Sequence, residues 1–106
     1  MGYTKERVKL EKLLVKLKPV INYDDKGLAL LLLTHEQYSH TIRILKNKEP
    51  EIFTDHYTNE LQFIKVSKNL LKESDTDELK QQNFTTYKEV IVKALGKTIA
   101  ATLAIV

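Results

Sequence analysis

The chain has no cysteine and no tryptophan, and only three glycines and two prolines among 106 residues. Without cysteine there is no disulfide scaffold, no thiol nucleophile, no iron–sulfur cluster and no cysteine-ligated zinc. Gly2, Gly27 and Gly96 stand alone, so they cannot build a glycine-rich phosphate loop. So few glycines and prolines also leave too little turn chemistry for a β-sandwich or barrel, and helices become the default. Long apolar runs are missing too. The uncharged stretches at residues 27–35 and 98–106 fall short of the roughly 20 apolar residues that cross a bilayer.

What is present is an ordinary globular composition, 42% hydrophobic and 29% charged, which supports a single helical domain over residues 1–106. The net charge is +3, but only two of the seventeen basic residues are arginine, the residue suited to bidentate phosphate and base contacts. More informative is the alternation of charge along the chain. Residues 1–18 carry +4, 49–62 carry −4, 63–72 carry +3 and 73–78 carry −4. Such blocks let antiparallel helices complement one another. Lys5, Arg7, Lys9 and Lys12 occupy the place where a signal peptide needs an apolar region, so a cytoplasmic location is expected. The glycosylation acceptor pattern Asn83-Phe84-Thr85 has no consequence there.

Apolar residues at helical spacing, Leu10, Leu13, Leu14 and Leu17, predict a first helix over residues 4–18, with Thr4 as cap and Pro19 as stop. Lys5, Lys9, Lys12 and Lys16 form a stripe about 120° away from those leucines. That stripe is a solvated face or a contact strip for phosphates, an anionic membrane or an acidic partner. Asn22, Asp24, Asp25 and Gly27 supply turn chemistry. Residues 28–33, all Leu or Ala, favour helix by propensity, with a short hairpin at residues 20–33 and an α+β fold as the alternative. Thr34 and Gln37 fit a capping box, so a break near Thr34 is expected within the second helix, residues 25–47.

Pro50 and the acids Glu49, Glu51 and Asp55 suit the first turn of a third helix, residues 51–72, with Thr54 as a second possible start. Tyr57, Leu61, Phe63, Ile64, Val66, Leu70 and Leu71 give that helix an apolar arc wider than one packing partner requires. Ser74 and Asp75 are candidate caps for a minor helical stretch. Thr86 and Glu89 form a second capping box and predict a last helix over residues 86–105, with Val90, Ile91, Leu95, Ile99 and Leu103 on its apolar face. Gly96, Ala100 and Ala104, four residues apart, make a smooth strip that another backbone can approach closely, in the core or at a dimer seam.

Candidate chemistry is sparse. His35 and His40 are five residues apart, so on a helix they diverge by about 140° and cannot share a zinc as a four-residue step would allow. Glu36 and His40 share a face as a local surface pair. His56, beside Asp55, reads as a first-turn surface residue. No serine or threonine stands in a recognisable triad, and the paired acids Asp24 with Asp25 and Asp75 with Asp77 fall in turns, where capping accounts for them. The five tyrosines are dispersed, which gives no stacking platform for single strands. A helix-turn-helix pivoting on Thr34 would offer Tyr38, Ser39, Thr41 and Arg43 to a groove, though its turn lacks glycine.

The expectation is therefore an all-α, compact bundle of four principal helices without enzyme activity, cofactor or metal. It would serve as a protein-interaction or regulatory module. Self-association would use Phe63, Val66 and Leu70 of the third helix and Gly96, Ala100 and Ala104 of the last. The runner-up is a basic nucleic-acid-associated protein contacting phosphates through Lys5, Lys9, Lys12 and Lys16. A third reading is an immunity-type helical bundle at a membrane surface.

Overall fold

A computed structural model describes residues 3–58 and 76–104. Four helical stretches account for nearly all of them: α1, Thr4–Leu17; α2, Asp25–Lys48; α3, described over residues 50–58; and α4, Asp77–Ala104. The expected all-α bundle is what the chain forms, and no strand occurs among the described residues. The hairpin alternative at residues 20–33 is overturned, because Asp25 already opens α2 and the run of Leu and Ala continues as helix.

The boundaries follow from local chemistry. Thr4 is the first residue of α1 rather than its cap; Tyr3 holds the cap position, and its side chain makes no capping bond. The Lys18 N–H reaches the Leu14 carbonyl at 3.0 Å, and Pro19 follows to end the helix. Asp24 caps α2 by accepting from the Gly27 N–H at 2.6 Å. Gly27 is buried in the first turn of α2, and a Cβ there would stand 2.6 Å from the Asn22 carbonyl oxygen. The incoming connection therefore passes too close for any side chain.

Glu49 alone separates α2 from α3, and its carbonyl accepts from Phe53 N–H at 3.0 Å, so Pro50 opens α3 as expected. No second start occurs at Thr54, which bonds back to the Pro50 carbonyl inside a continuous helix. The break expected at Thr34 is likewise absent. Its hydroxyl donates to the Leu30 carbonyl at 2.7 Å, and α2 runs straight through. Thr86 does the same to Gln82 at 3.0 Å, so it starts nothing. The last helix instead begins at Asp77, behind Thr76, whose hydroxyl accepts from the Leu79 N–H at 3.2 Å. The minor stretch and the last helix are thus one element. Ser74 and Asp75, proposed as caps, lie outside the described residues.

The core is built from Leu10 and Leu17 of α1, Leu31, Tyr38, Ile42 and Leu45 of α2, Phe53 of α3, and Phe84, Tyr87, Ile91, Ala94 and Leu95 of α4. Tyr3 and Glu6 meet Glu49 and Lys48 at one end of the bundle, so α1 and α2 run antiparallel. The 28-residue α4 spans most of the 47 Å long axis, at about 1.5 Å per residue. It packs more extensively against α1 than against α2.

At the opposite end α4 fastens the α1–α2 connection. The Gln81 side-chain carbonyl accepts from Tyr23 N–H at 2.6 Å, and its amide donates to the Ile21 carbonyl at 2.7 Å. Lys88 donates to the Lys18 carbonyl at 2.7 Å, satisfying a group that the end of α1 leaves open. Tyr23 packs edge-on against Phe84 with ring centres 5.8 Å apart.

Candidate functional site

Two kinds of site emerge among the described residues: a polar seam inside the bundle and apolar, lysine-edged surfaces outside it. The seam centres on Thr98, which is buried. Its hydroxyl lies 3.0 Å from the Tyr38 hydroxyl and 3.1 Å from His56 Nδ1, so α2, α3 and α4 meet at one oxygen. His56 is therefore half-buried between helices, and its reading as a surface residue is corrected. Burial holds the His56 imidazole below the usual histidine range, Asp55 opposes this, and Lys97 reinforces it. On α2, one turn before Tyr38, His35 Nδ1 is hydrogen-bonded to the Tyr87 hydroxyl.

The seam gathers a threonine, a tyrosine and a histidine from three helices. No third side chain among the described residues bonds the His56 imidazole to orient it toward Thr98, as a base that activates a nucleophile requires. Among the described residues, no group of three or more His, Asp or Glu side chains gathers to hold a metal ion. His40 and Glu36 sit exposed on α2, away from the buried Tyr38 face. Tyr38, Ser39 and Thr41 are buried, and α2 has no turn at Thr34, so the helix-turn-helix reading is overturned. Of its groove-reading side chains only Arg43 is exposed.

On the outside, Lys5, Lys9, Lys12 and Lys16 are all exposed along α1, and none forms an ion pair among the described residues. Lys9, Lys12 and Lys16 edge a groove of about 300 Å³ between α1 and α2, lined also by Leu13, Leu33, Gln37 and Thr41. Here the basic stripe and an apolar floor adjoin, which the helical wheel of α1 alone cannot reveal because Leu33 comes from α2. A second groove, about 420 Å³, lies where Ile21 of the α1–α2 connection faces Val92 of α4, with Lys18, Lys88 and Lys93 around it.

The third surface is the outer side of α4. Gly96, Ala100 and Ala104 are all exposed, and a Cβ added at Gly96 would meet nothing within 4 Å. The strip therefore does not serve core packing. Leu103, placed on the core face by sequence, is instead 59% exposed beside it. Phe63, Val66 and Leu70, the other predicted interface residues, lie outside the described residues. Val15 of α1, at 71% exposed, and Ile21, at 69%, add apolar surface that sequence reasoning did not single out. Val15 lies off the leucine stripe of α1 and Ile21 lies in a connection, so helical spacing points to neither.

Among the described residues, no helix is long and apolar enough to cross a membrane. No protein-family model, curated protein or solved structure shows significant similarity to the chain.

Proposed function

We propose that this chain is a small, non-enzymatic interaction module of the cytoplasm that self-associates through the outer face of α4. One observation carries the reading: Gly96, Ala100 and Ala104 point away from the core, one helical turn apart, with Leu103 exposed beside them. A strip without large side chains lets a second helix approach at the short end of the 8–10 Å range of interaxial distances. Dispersion contacts then form along the whole seam.

Leu103 and Val92 flank the strip, and no charged side chain occurs from Thr98 onward, so little desolvation of charge opposes contact there. Toward the other end of α4, Lys93 and Glu89 provide a polar rim. An apolar centre with a charged edge is the ordinary layout of a protein interface. A two-fold arrangement, in which the same strip serves both copies, closes the assembly at a dimer.

Light scattering on the purified protein tests this directly. At micromolar concentration the expected mass is twice the 12.3 kDa of one chain. Ala100→Glu places a carboxylate in the seam and should return the mass to that of a monomer, with the helical circular dichroism spectrum unchanged. A monomeric wild-type protein across the accessible concentration range would sink the proposal.

A further inference from the structure

The groove between α1 and α2 has a composition that the α4 seam does not share. Lys9, Lys12 and Lys16 form one wall, Leu13 and Leu33 supply the apolar floor, and no carboxylate is among its lining residues. Leu33 is 49% exposed and its neighbour Leu32 48%, so of the leucines at 30–33 only Leu31 is buried in the core. Uncompensated positive charge beside exposed leucine calls for an occupant that is both anionic and apolar. Charge complementarity excludes a basic or neutral surface, and the leucines exclude a simple anion.

The shape narrows the choice further. Two adjacent antiparallel helices present a furrow about as wide as a third helix, into which ridges of a neighbour can pack. Lys9, Lys12 and Lys16 recur over seven residues, about 10.5 Å along the axis, so carboxylates on successive turns of a docked helix can meet all three. Duplex phosphates would satisfy the lysines but leave Leu13 and Leu33 facing water. A bilayer needs protruding apolar side chains, whereas the floor here lies between two helices and includes the polar Gln37 and the buried Thr41.

We infer that the α1–α2 groove docks an acidic amphipathic helix of a partner protein, with its apolar stripe on Leu13 and Leu33 and its carboxylates on Lys9, Lys12 and Lys16. This surface is separate from the α4 seam and does not depend on self-association. Docking of this kind is read by apolar anchors at i, i+3, i+4 and i+7 flanked by charge.

The test is fluorescence anisotropy of the full chain with a labelled synthetic helix that carries leucines at those four positions and glutamates on both flanks. Saturable binding is expected. Replacing the peptide's leucines by serine, or its glutamates by lysine, should each weaken binding by about tenfold or more. The triple variant Lys9→Glu, Lys12→Glu, Lys16→Glu and, separately, Leu33→Ser should lose a similar factor. These side chains are exposed, so an unchanged circular dichroism spectrum confirms that folding is intact. Ala100→Glu should bind the peptide as the wild type does, which keeps this result distinguishable from the fate of the dimer. Equal affinity for the serine peptide, or no effect of Leu33→Ser, would overturn the inference. So would binding to duplex DNA or to phosphatidylserine vesicles in the absence of peptide binding.

Discussion

His56 Nδ1 lies 3.1 Å from the Thr98 hydroxyl, tying α3 to α4 through a histidine that is half removed from water. With the imidazole neutral and its proton on Nε2, Thr98 donates to Nδ1 and accepts from Tyr38, whose hydroxyl is 3.0 Å away. Protonation of His56 turns Nδ1 into a donor, so the Thr98–His56 hydrogen bond must reverse and the Thr98 oxygen accept.

That reversal predicts a pH dependence of stability. Burial depresses the folded-state pKa of His56 below its unfolded value of 6.5, so the unfolded chain binds the extra proton first. The contribution is complete above pH 6.5 and is lost as pH falls through the window beneath it. Urea midpoints measured in small pH steps should drop in that window for the wild type. In His56→Gln that step should be flat; an identical step in the variant would assign it to another group.

Thr98→Val keeps the volume of the side chain and removes the oxygen shared by three helices. Each deprived partner in a buried seam raises the cost, so a loss of about 1–3 kcal/mol is expected. Tyr38→Phe should cost less, since the pair of Thr98 and His56 survives it. Equilibrium urea unfolding of the two variants compares them, and the opposite order would disprove the role of Thr98 as the hub.

Two glycines give opposite predictions for the same substitution. Gly27→Ala drives a Cβ to 2.6 Å from the Asn22 carbonyl oxygen, so backbone must move. The strain of overpacking, about 1–3 kcal/mol, exceeds the gain of about 1 kcal/mol in helix propensity, and Tm should fall. Gly96→Ala meets nothing within 4 Å in the isolated chain, so there the propensity gain stands alone and Tm should rise. Thermal melts at low protein concentration decide both signs.

Gln81→Glu should loosen the clasp on the α1–α2 connection. The amide that donates to the Ile21 carbonyl becomes a carboxylate oxygen facing that carbonyl. A loss of about 1–2 kcal/mol is expected. Hydrogen exchange should show it as faster exchange at Tyr23, whose N–H bonds to the same side chain. Unaltered exchange there would show that the connection holds without Gln81.

A final pH effect belongs to Glu6. Burial raises its carboxyl, but a hydrogen bond from its own backbone amide, the Lys48 ammonium at 3.2 Å and the charge of Lys5 outweigh that and hold it below 4.5. Its contribution is present above 4.5 and is lost as pH falls through the lower folded-state value. Lys48→Gln should therefore narrow the acid limb of the stability profile, leaving the higher window of His56 in place. The Lys48 side chain is half-exposed, so the effect at neutral pH should stay below about 1 kcal/mol.

Several threonines show why element boundaries were only partly legible. Thr34 and Thr86 each precede a Gln or Glu by three residues, the pattern of a capping box, yet each bonds to the carbonyl four residues back within an unbroken helix. A hydroxyl can satisfy either backbone group, and the apolar residues on both sides make the continuous helix the lower free-energy choice. Thr76, one residue ahead of the true start of α4, fits no box and still caps it. Site residues divided in the same way. The exposure of Lys5, Lys9, Lys12 and Lys16 followed from their spacing, whereas the role of His56 did not, because its partner is 42 residues away.

Sequence alone determined that the chain is helical and where its strongest core positions lie, since leucines one turn apart can be buried together only on a coiled backbone. Leu10, Leu17, Ile42 and Leu45 needed nothing more. Tertiary structure decided which side of α4 is the inside. That helix has apolar or small residues around much of its circumference, so its own pattern specifies no inner arc. The packing of Phe84, Ile91 and Leu95 into a core shared with residues of α1, α2 and α3 turned Gly96, Ala100, Ala104 and Leu103 outward.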